Sequence, residues 1–322
     1  MTGSPRRAAR ALAHVQPRAR AVHAEAHAKL NLGLAVGPRR ADGYHDIATV
    51  LQSVSLSDTL TVMPRRSGFT LEVRFGPAPG DPEPVRSVPA GPGNLVIRAA
   101  RLMAREFGIP GARFRLVKRI PAGAGMGGGS ADAAAALRGL ARLYGIRIGR
   151  ERLLELGGRL GSDVPFACLG GTAIGLGRGE RLRPARLARP FRAVIAVPRW
   201  RVSTARAFRE IDRVKNGLTA WAANLRFAQA LGRDGVTLTS GARFGNTFEL
   251  ALGKRQVDFE SLRERLSAAG LLSPRMTGSG SAVFGIVPVG ASARVLATRF
   301  EGSERLHVVH STRSGTQVRV VV

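Results

Sequence analysis

The stretch Ile120–Leu137, IPAGAGMGGGSADAAAAL, constrains this chain more than any other. Five glycines fall within seven residues, and an alanine run follows directly. Glycines at that density let the backbone turn left-handed and approach a ligand closely, and alanines favour a helix. The preceding ARFRLVKRI reads as a strand. A glycine loop feeding a helix is a natural anion site, because the first helical N–H groups lack partners and the helix dipole is positive there. Taken alone, the stretch is equally a Gly-rich turn joining a strand to an Ala-rich helix.

Two familiar phosphate motifs overlap it. Gly123, Gly125 and Gly128 satisfy the dinucleotide spacing G-x-G-x-x-G, and Gly123, Gly128 and Ser130 mimic a Walker A loop. The first reading fails because such a loop follows the first, continuously apolar strand of its domain, whereas this one follows Arg115, Lys118 and Arg119. The second fails because Gly129 stands where the phosphate-binding lysine belongs.

The surrounding chain reads as α+β. AHAKLNLGLAV, VLQSVSLSDTLTVMP and FTLEVRF are strand-like, and Asp42-Gly43 marks a hairpin turn between the first two. NLVIRAARLMAREFG is a helix. In the helix after the glycine loop, Ser130 is placed as N-cap, Asp132 lies in the first turn and Gly145 closes the end. A further helix spans about 150–160 and stops at GSDVP. The second half mixes helices (ARAFREIDRV, DFESLRERLSAAG) with strands (FRAVIAVP, SAVFGIVPV, HVVHST), and no internal repeat is evident.

A length of 322 residues suggests two domains. The expected division is a basic, disordered extension over 1–25, a first domain over 26–185 and a second over 186–322. No run of about 18 apolar residues suggests a membrane span. Cys168 is the only cysteine, which excludes an internal disulfide and fits a reducing cytoplasm. The net charge of +28 invites a nucleic-acid reading, but the positive charge is nearly all arginine, spread along the chain. Aromatic stacking platforms are scarce, so nucleic acid is not expected as the main partner. Only Lys29, Lys118, Lys215 and Lys254 are lysines, and the first two lie in or beside the motifs.

Three more segments complete a pattern. AKLNLGLAVGPRRADGYHDIATVLQSVSLSDTL, LGSDVPFACLGGTAIGLGRGERL and MTGSGSAVFG flank the glycine stretch in a fixed order. Together the four resemble the 4-diphosphocytidyl-2-C-methylerythritol kinases of the GHMP superfamily, from about Ala26 to His310. The resemblance implies an α+β, two-domain fold, with a ribosomal-protein-like N-terminal domain and a ferredoxin-like C-terminal domain. It implies ATP and Mg²⁺ as cofactors and a small-molecule acceptor, in a monomer or weak homodimer without a membrane partner.

Residue by residue, the resemblance makes Asp163 the general base and Lys29 its partner. Asn31, on the same side of the strand as Lys29, would hold the reacting hydroxyl. The phosphate loop would comprise Pro121, Gly123, Gly125, Gly127, Gly128, Gly129 and Ser130, with Asn94 and Lys118 flanking the ATP side. Tyr44 and His45 would meet the cytosine ring, with Phe208 on its other face and Thr204 nearby. Gly278, Ser279 and Gly280 would approach the substrate. No metal-ligating side chain is implied. Four positions depart from the family: Met126 for Leu, Ala131 for Ser, Ser162 for Ala and Ser281 for Pro. Ala131 removes a hydroxyl expected near the phosphates. Residues 212–250 match loosely and carry no implied contacts.

Overall fold

The computed structural model describes residues 15–76, 88–213, 221, 224–226, 228, 235–237 and 245–321. Two sheets organise them. The first has the order β11-β1-β2-β4-β3, with β5 on β2 and β6 on β5. Its strands are β1 (Ala21–Arg39), β2 (His45–Pro64), β3 (Gly68–Phe75), β4 (Gly111–Lys118), β5 (Thr172–Leu176), β6 (Arg181–Ala185) and β11 (Gln317–Val321). The second, β10-β7-β9-β8, is antiparallel and contains β7 (Arg192–Val197), β8 (Leu272–Met276), β9 (Val283–Ile286) and β10 (Arg305–His310).

The Asp42-Gly43 turn is a hairpin turn as expected. β1 and β2 run antiparallel across it, and Gly43 has φ 83°. β3 and β4 are the parallel pair, joined through α1 (Leu95–Phe107). From Ala112 onward β4 alternates buried residues with exposed Arg113 and half-buried Arg115 and Val117, which explains how a strand can carry the two arginines. α2 (Gly128–Leu143) follows β4. It buries Ala133, Ala136, Leu137 and Leu140 against the first sheet. α3 (Arg150–Gly158) and α4 (Val164–Leu169) complete this layer.

β7 is buried on both faces. Ala193 and Ile195 join the core beneath the first sheet, while Val194 and Ala196 join a second core. That second core is built with α5 (Thr204–Ile211), α6 (Gln256–Ala268) and α7 (Ala293–Thr298). It also takes in Leu34 and Val36 from β1, so the two cores share a strand.

Two boundaries differ from expectation. Ordered structure begins before residue 26, because Ala21–Glu25 pair with Gln317–Val321 and bury Val22 and Ala24; residues 1–14 lie outside the described residues. By the same pairing, β11 returns from the second half of the chain to the first sheet. The first layer therefore closes on both ends of the chain and is not confined to 26–185.

Candidate active site

Gly123, Gly125 and Gly127 have φ values of 70°, 84° and 69°, a left-handed backbone at alternate positions. The third is the N-cap of α2. The first intrahelical bond runs from the Ala131 N–H to the Gly127 carbonyl, 2.9 Å. The N–H groups of Gly128, Gly129 and Ser130 thus have no acceptor in the helix, and no side chain caps them. Ser130 is not the N-cap: the left-handed turn at Gly127 starts the helix earlier and places Ser130 inside it. Asp132 accordingly falls beyond the first turn, where it is buried. Gly145 ends the helix as expected, at φ 66°. Ala131 is 1% exposed in the apolar core, so its side chain turns away from the open N–H groups.

A buried charge cluster supports the loop from below. Lys118 Nζ bonds Asp58 Oδ2 and, at 2.7 Å, Asp132 Oδ2. Asp58 Oδ1 accepts the backbone N–H groups of Arg119 and Ile120, at 2.5 and 2.9 Å. Burial pushes Lys118 down, but the two carboxylates outweigh it and raise the pKa overall. Asp132 is pushed up to about 8, first by burial and then by the neighbouring Asp58 charge, and its Oδ1 has no partner. Lys118 stands 3.2 Å from where a Cβ on Gly128 would lie, but both its ion pairs face the interior.

A second glycine loop closes over the first. The Ala282 N–H donates to the Ala124 carbonyl at 3.2 Å, and the Asn31 N–H donates to Thr277 Oγ1 at 3.1 Å. A side chain on Gly125 would collide with the Thr277 carbonyl. One on Gly278 would lie 2.8 Å from the Gly125 carbonyl and 3.1 Å from Lys29 Nζ. Asn246 Nδ2 donates to the carbonyls of Met276 and Gly278, both at 2.9 Å, and fixes this second loop.

Lys29 and Asp163 converge on Gly127. A Cβ there would lie 3.2 Å from Lys29 Cγ and 3.8 Å from Asp163 Oδ2. Lys29 is 7% exposed, and burial lowers its pKa against the opposing pull of the Asp163 carboxylate. Its ammonium donates to Asn31 Oδ1 at 2.5 Å, and Asn31 Nδ2 in turn donates to Thr49 Oγ1 at 2.8 Å. The expected Lys29–Asp163 partnership is therefore one of charge at longer range, with Asn31 as the direct partner. Asp163 sits at the N-cap of α4 but makes no capping hydrogen bond, which leaves its carboxylate available.

The expected base-binding side separates into parts. Tyr44 is 55% exposed under the Arg178 guanidinium, whose carbon lies 4.8 Å from the ring centre. His45 is buried. Its Nδ1 lies 2.9 Å from the Gly37 carbonyl and its Nε2 3.3 Å from Asp212 Oδ1. Phe208 stacks on His45 at 5.3 Å between ring centres and meets Phe248 edge-on at 5.0 Å, so its ring packs with protein aromatics on two sides. Asn94 serves as the N-cap of α1, with Oδ1 accepting from the Val96 N–H and Nδ2 donating to the Pro89 carbonyl, at 2.8 and 2.7 Å. Its side-chain polar groups are thus already engaged. Thr204 Oγ1 lies 2.8 Å from Ser279 Oγ, which joins the start of α5 to the second glycine loop.

Asp58, Asn246, Thr277 and Arg201 were not singled out from the sequence. Asp58 could have been: it is the only charged residue in the apolar run VLQSVSLSDTLTVMP, and a charge there needs a partner.

Residues 94–171 match the GHMP kinases N terminal domain family. The chain is 39% identical over 276 residues to the 4-diphosphocytidyl-2-C-methyl-D-erythritol kinase of Moorella thermoacetica, covering 86% of this chain and 93% of that one. It is 38% identical over 293 residues to the same-named protein of Pelotomaculum thermopropionicum, covering 90% and 98%. A crystal structure of 4-(cytidine 5'-diphospho)-2C-methyl-D-erythritol kinase superposes with a TM-score of 0.69 at 36% identity, over 90% of this chain and 98% of that one. Homoserine kinase from Cytophaga hutchinsonii shares the fold at a TM-score of 0.69, with 18% identity over 94% and 99% of the two chains. The geometry around Gly127 and this likeness along nearly the whole chain lead to one conclusion: the chain belongs to the 4-diphosphocytidyl-2-C-methyl-D-erythritol kinase family of GHMP kinases.

Proposed function

We propose that this chain transfers the γ-phosphoryl group of ATP to the 2-hydroxyl of 4-diphosphocytidyl-2-C-methyl-D-erythritol, in non-mevalonate isoprenoid precursor biosynthesis. The observation that carries the reading is the meeting of Lys29 and Asp163 at Gly127, where α2 presents open N–H groups. Asp163, not engaged as a cap, takes the proton of the attacking hydroxyl. Asn31 orients that hydroxyl. Lys29, buried at this meeting point, stabilises the alkoxide and the moving phosphoryl charge. The N–H groups of Gly128, Gly129 and Ser130 hold the phosphates. Positioning and electrostatics supply most of such a reaction.

Among the described residues no group of three His, Cys, Asp or Glu side chains could hold a metal ion. Mg²⁺ would accompany the triphosphate, whose phosphates the N–H groups of Gly128, Gly129 and Ser130 would hold, and would neutralise charge on them. We place the protein in the cytoplasm as a monomer or weak homodimer acting on small molecules and not primarily on nucleic acid. The single, buried Cys168 suits a reducing compartment.

The test is to offer purified protein ATP with the cytidylated methylerythritol, homoserine or mevalonate and to follow ADP release. ADP should appear with the first acceptor. Release only with another acceptor, or with none, overturns the reading.

A further inference from the structure

The two lysines beside the phosphate loop serve elsewhere, one in a buried ion-pair cluster and one at the proposed reacting centre. Lys118 is held between Asp58 and Asp132, and Lys29 donates to Asn31. The loop itself has Gly129 in place of a lysine. A third cation reaches it from the segment between β7 and α5. Arg201 Nη1 donates to the Ala122 carbonyl at 3.0 Å and lies 3.3 Å from where a Cβ on Gly123 would stand. Its neighbours hold this segment against the second glycine loop. Val202 Cγ2 lies 3.5 Å from the Cβ position of Gly280, and Thr204 bonds Ser279.

Arg201 is exposed, and among the described residues it forms no ion pair with a carboxylate. A guanidinium presents five N–H donors in a planar fork, and the Ala122 carbonyl occupies only part of it. Gly123 beside it is exposed as well. We infer that Arg201 is a nucleotide-binding residue: its remaining N–H groups bond a phosphate oxygen of ATP or ADP at the Ala122–Gly123 rim. It thereby supplies the side-chain cation that the loop lacks. The inference rests on the phosphotransfer reading above, but its test needs no acceptor.

The alternative is that Arg201 only straps the Ala122 carbonyl. Arg201→Gln keeps a donor for that carbonyl and removes the charge; Arg201→Lys keeps the charge and loses the fork. ADP and ATP affinities are measured by calorimetry on the full chain, with thermal melting alongside. Arg201→Gln is expected to weaken nucleotide binding about ten- to a hundredfold at an unchanged Tm, with partial recovery in Arg201→Lys. Unchanged nucleotide affinity in Arg201→Gln overturns the inference, as does a loss that tracks a lowered Tm. Failure of the parent chain to phosphorylate the cytidylated acceptor counts against the proposed reaction, and the nucleotide affinities still decide the role of Arg201.

Discussion

Lys118 and Asp132 form a buried ion pair, Nζ to Oδ2 at 2.7 Å, that ties the strand before the glycine loop to the helix after it. Asp58 shares the same ammonium and also accepts two backbone N–H groups, so Asp58 is the better-compensated carboxylate. Asp132, with one oxygen unpartnered, is pushed from its ordinary 3.8 to about 8. A carboxyl with a raised folded pKa binds its proton more tightly in the folded state. Its contribution to stability is complete below the unfolded value and is lost as pH rises toward about 8. The denaturation midpoint should therefore fall between about pH 4 and pH 8, with a slope of up to about 1.4 kcal/mol per pH unit from this group, and level off above that. Asp132→Asn should flatten that fall; urea titrations of both proteins across the range check it, and identical slopes exclude Asp132 as the source.

Replacing the proposed base separates chemistry from binding. Asp163→Asn should retain ATP affinity, because the open N–H groups belong to α2, and should lose about 10³-fold or more in turnover. Calorimetric ATP binding and single-turnover assays report the two effects separately. Near-normal turnover would remove Asp163 from the role of base.

Two glycines with similar backbone angles should respond differently to alanine. Gly125, φ 84°, faces the Thr277 carbonyl, whereas Gly68, φ 73°, has open space around it. Gly68→Ala bears only the left-handed backbone penalty, about 1–2 kcal/mol. Gly125→Ala adds a clash with the second glycine loop and should exceed that loss while abolishing activity. Chemical denaturation of the pair provides the comparison.

Restoring the family's serine at position 131 should not strengthen nucleotide binding. Ala131 lies in the core at 1% exposure, so a hydroxyl there is buried and turns back to the helix backbone. Ala131→Ser should leave the KM for ATP within about twofold and cost about 1 kcal/mol in stability. A marked fall in KM would place the hydroxyl on the phosphates after all.

Local signals in the sequence identified the elements well where local chemistry decides them. The Asp42-Gly43 hairpin, the helix ending at Gly145 and the strand β4 follow from backbone freedom and residue preference. Ser130 as N-cap failed for a related reason: a left-handed glycine can open a helix without a capping side chain, and the sequence does not show which of three consecutive glycines does so. The Lys29, Asn31 and Asp163 constellation was legible only through resemblance, since 134 positions separate the lysine from the aspartate.

The sequence by itself determined the glycine loop before a helix, the strand carrying Lys29 and Asn31, and the family to which they belong. Those features rest on short-range backbone preferences and on motif order. Only the tertiary structure decided what each charged side chain does. It drew Lys118 inward between Asp58 and Asp132, bonded Lys29 to Asn31, used Asn94 as a helix cap and stacked Phe208 on His45. The physical reason is that a buried polar group must find its partner wherever the fold supplies one, and these partners lie up to 163 positions apart in the chain.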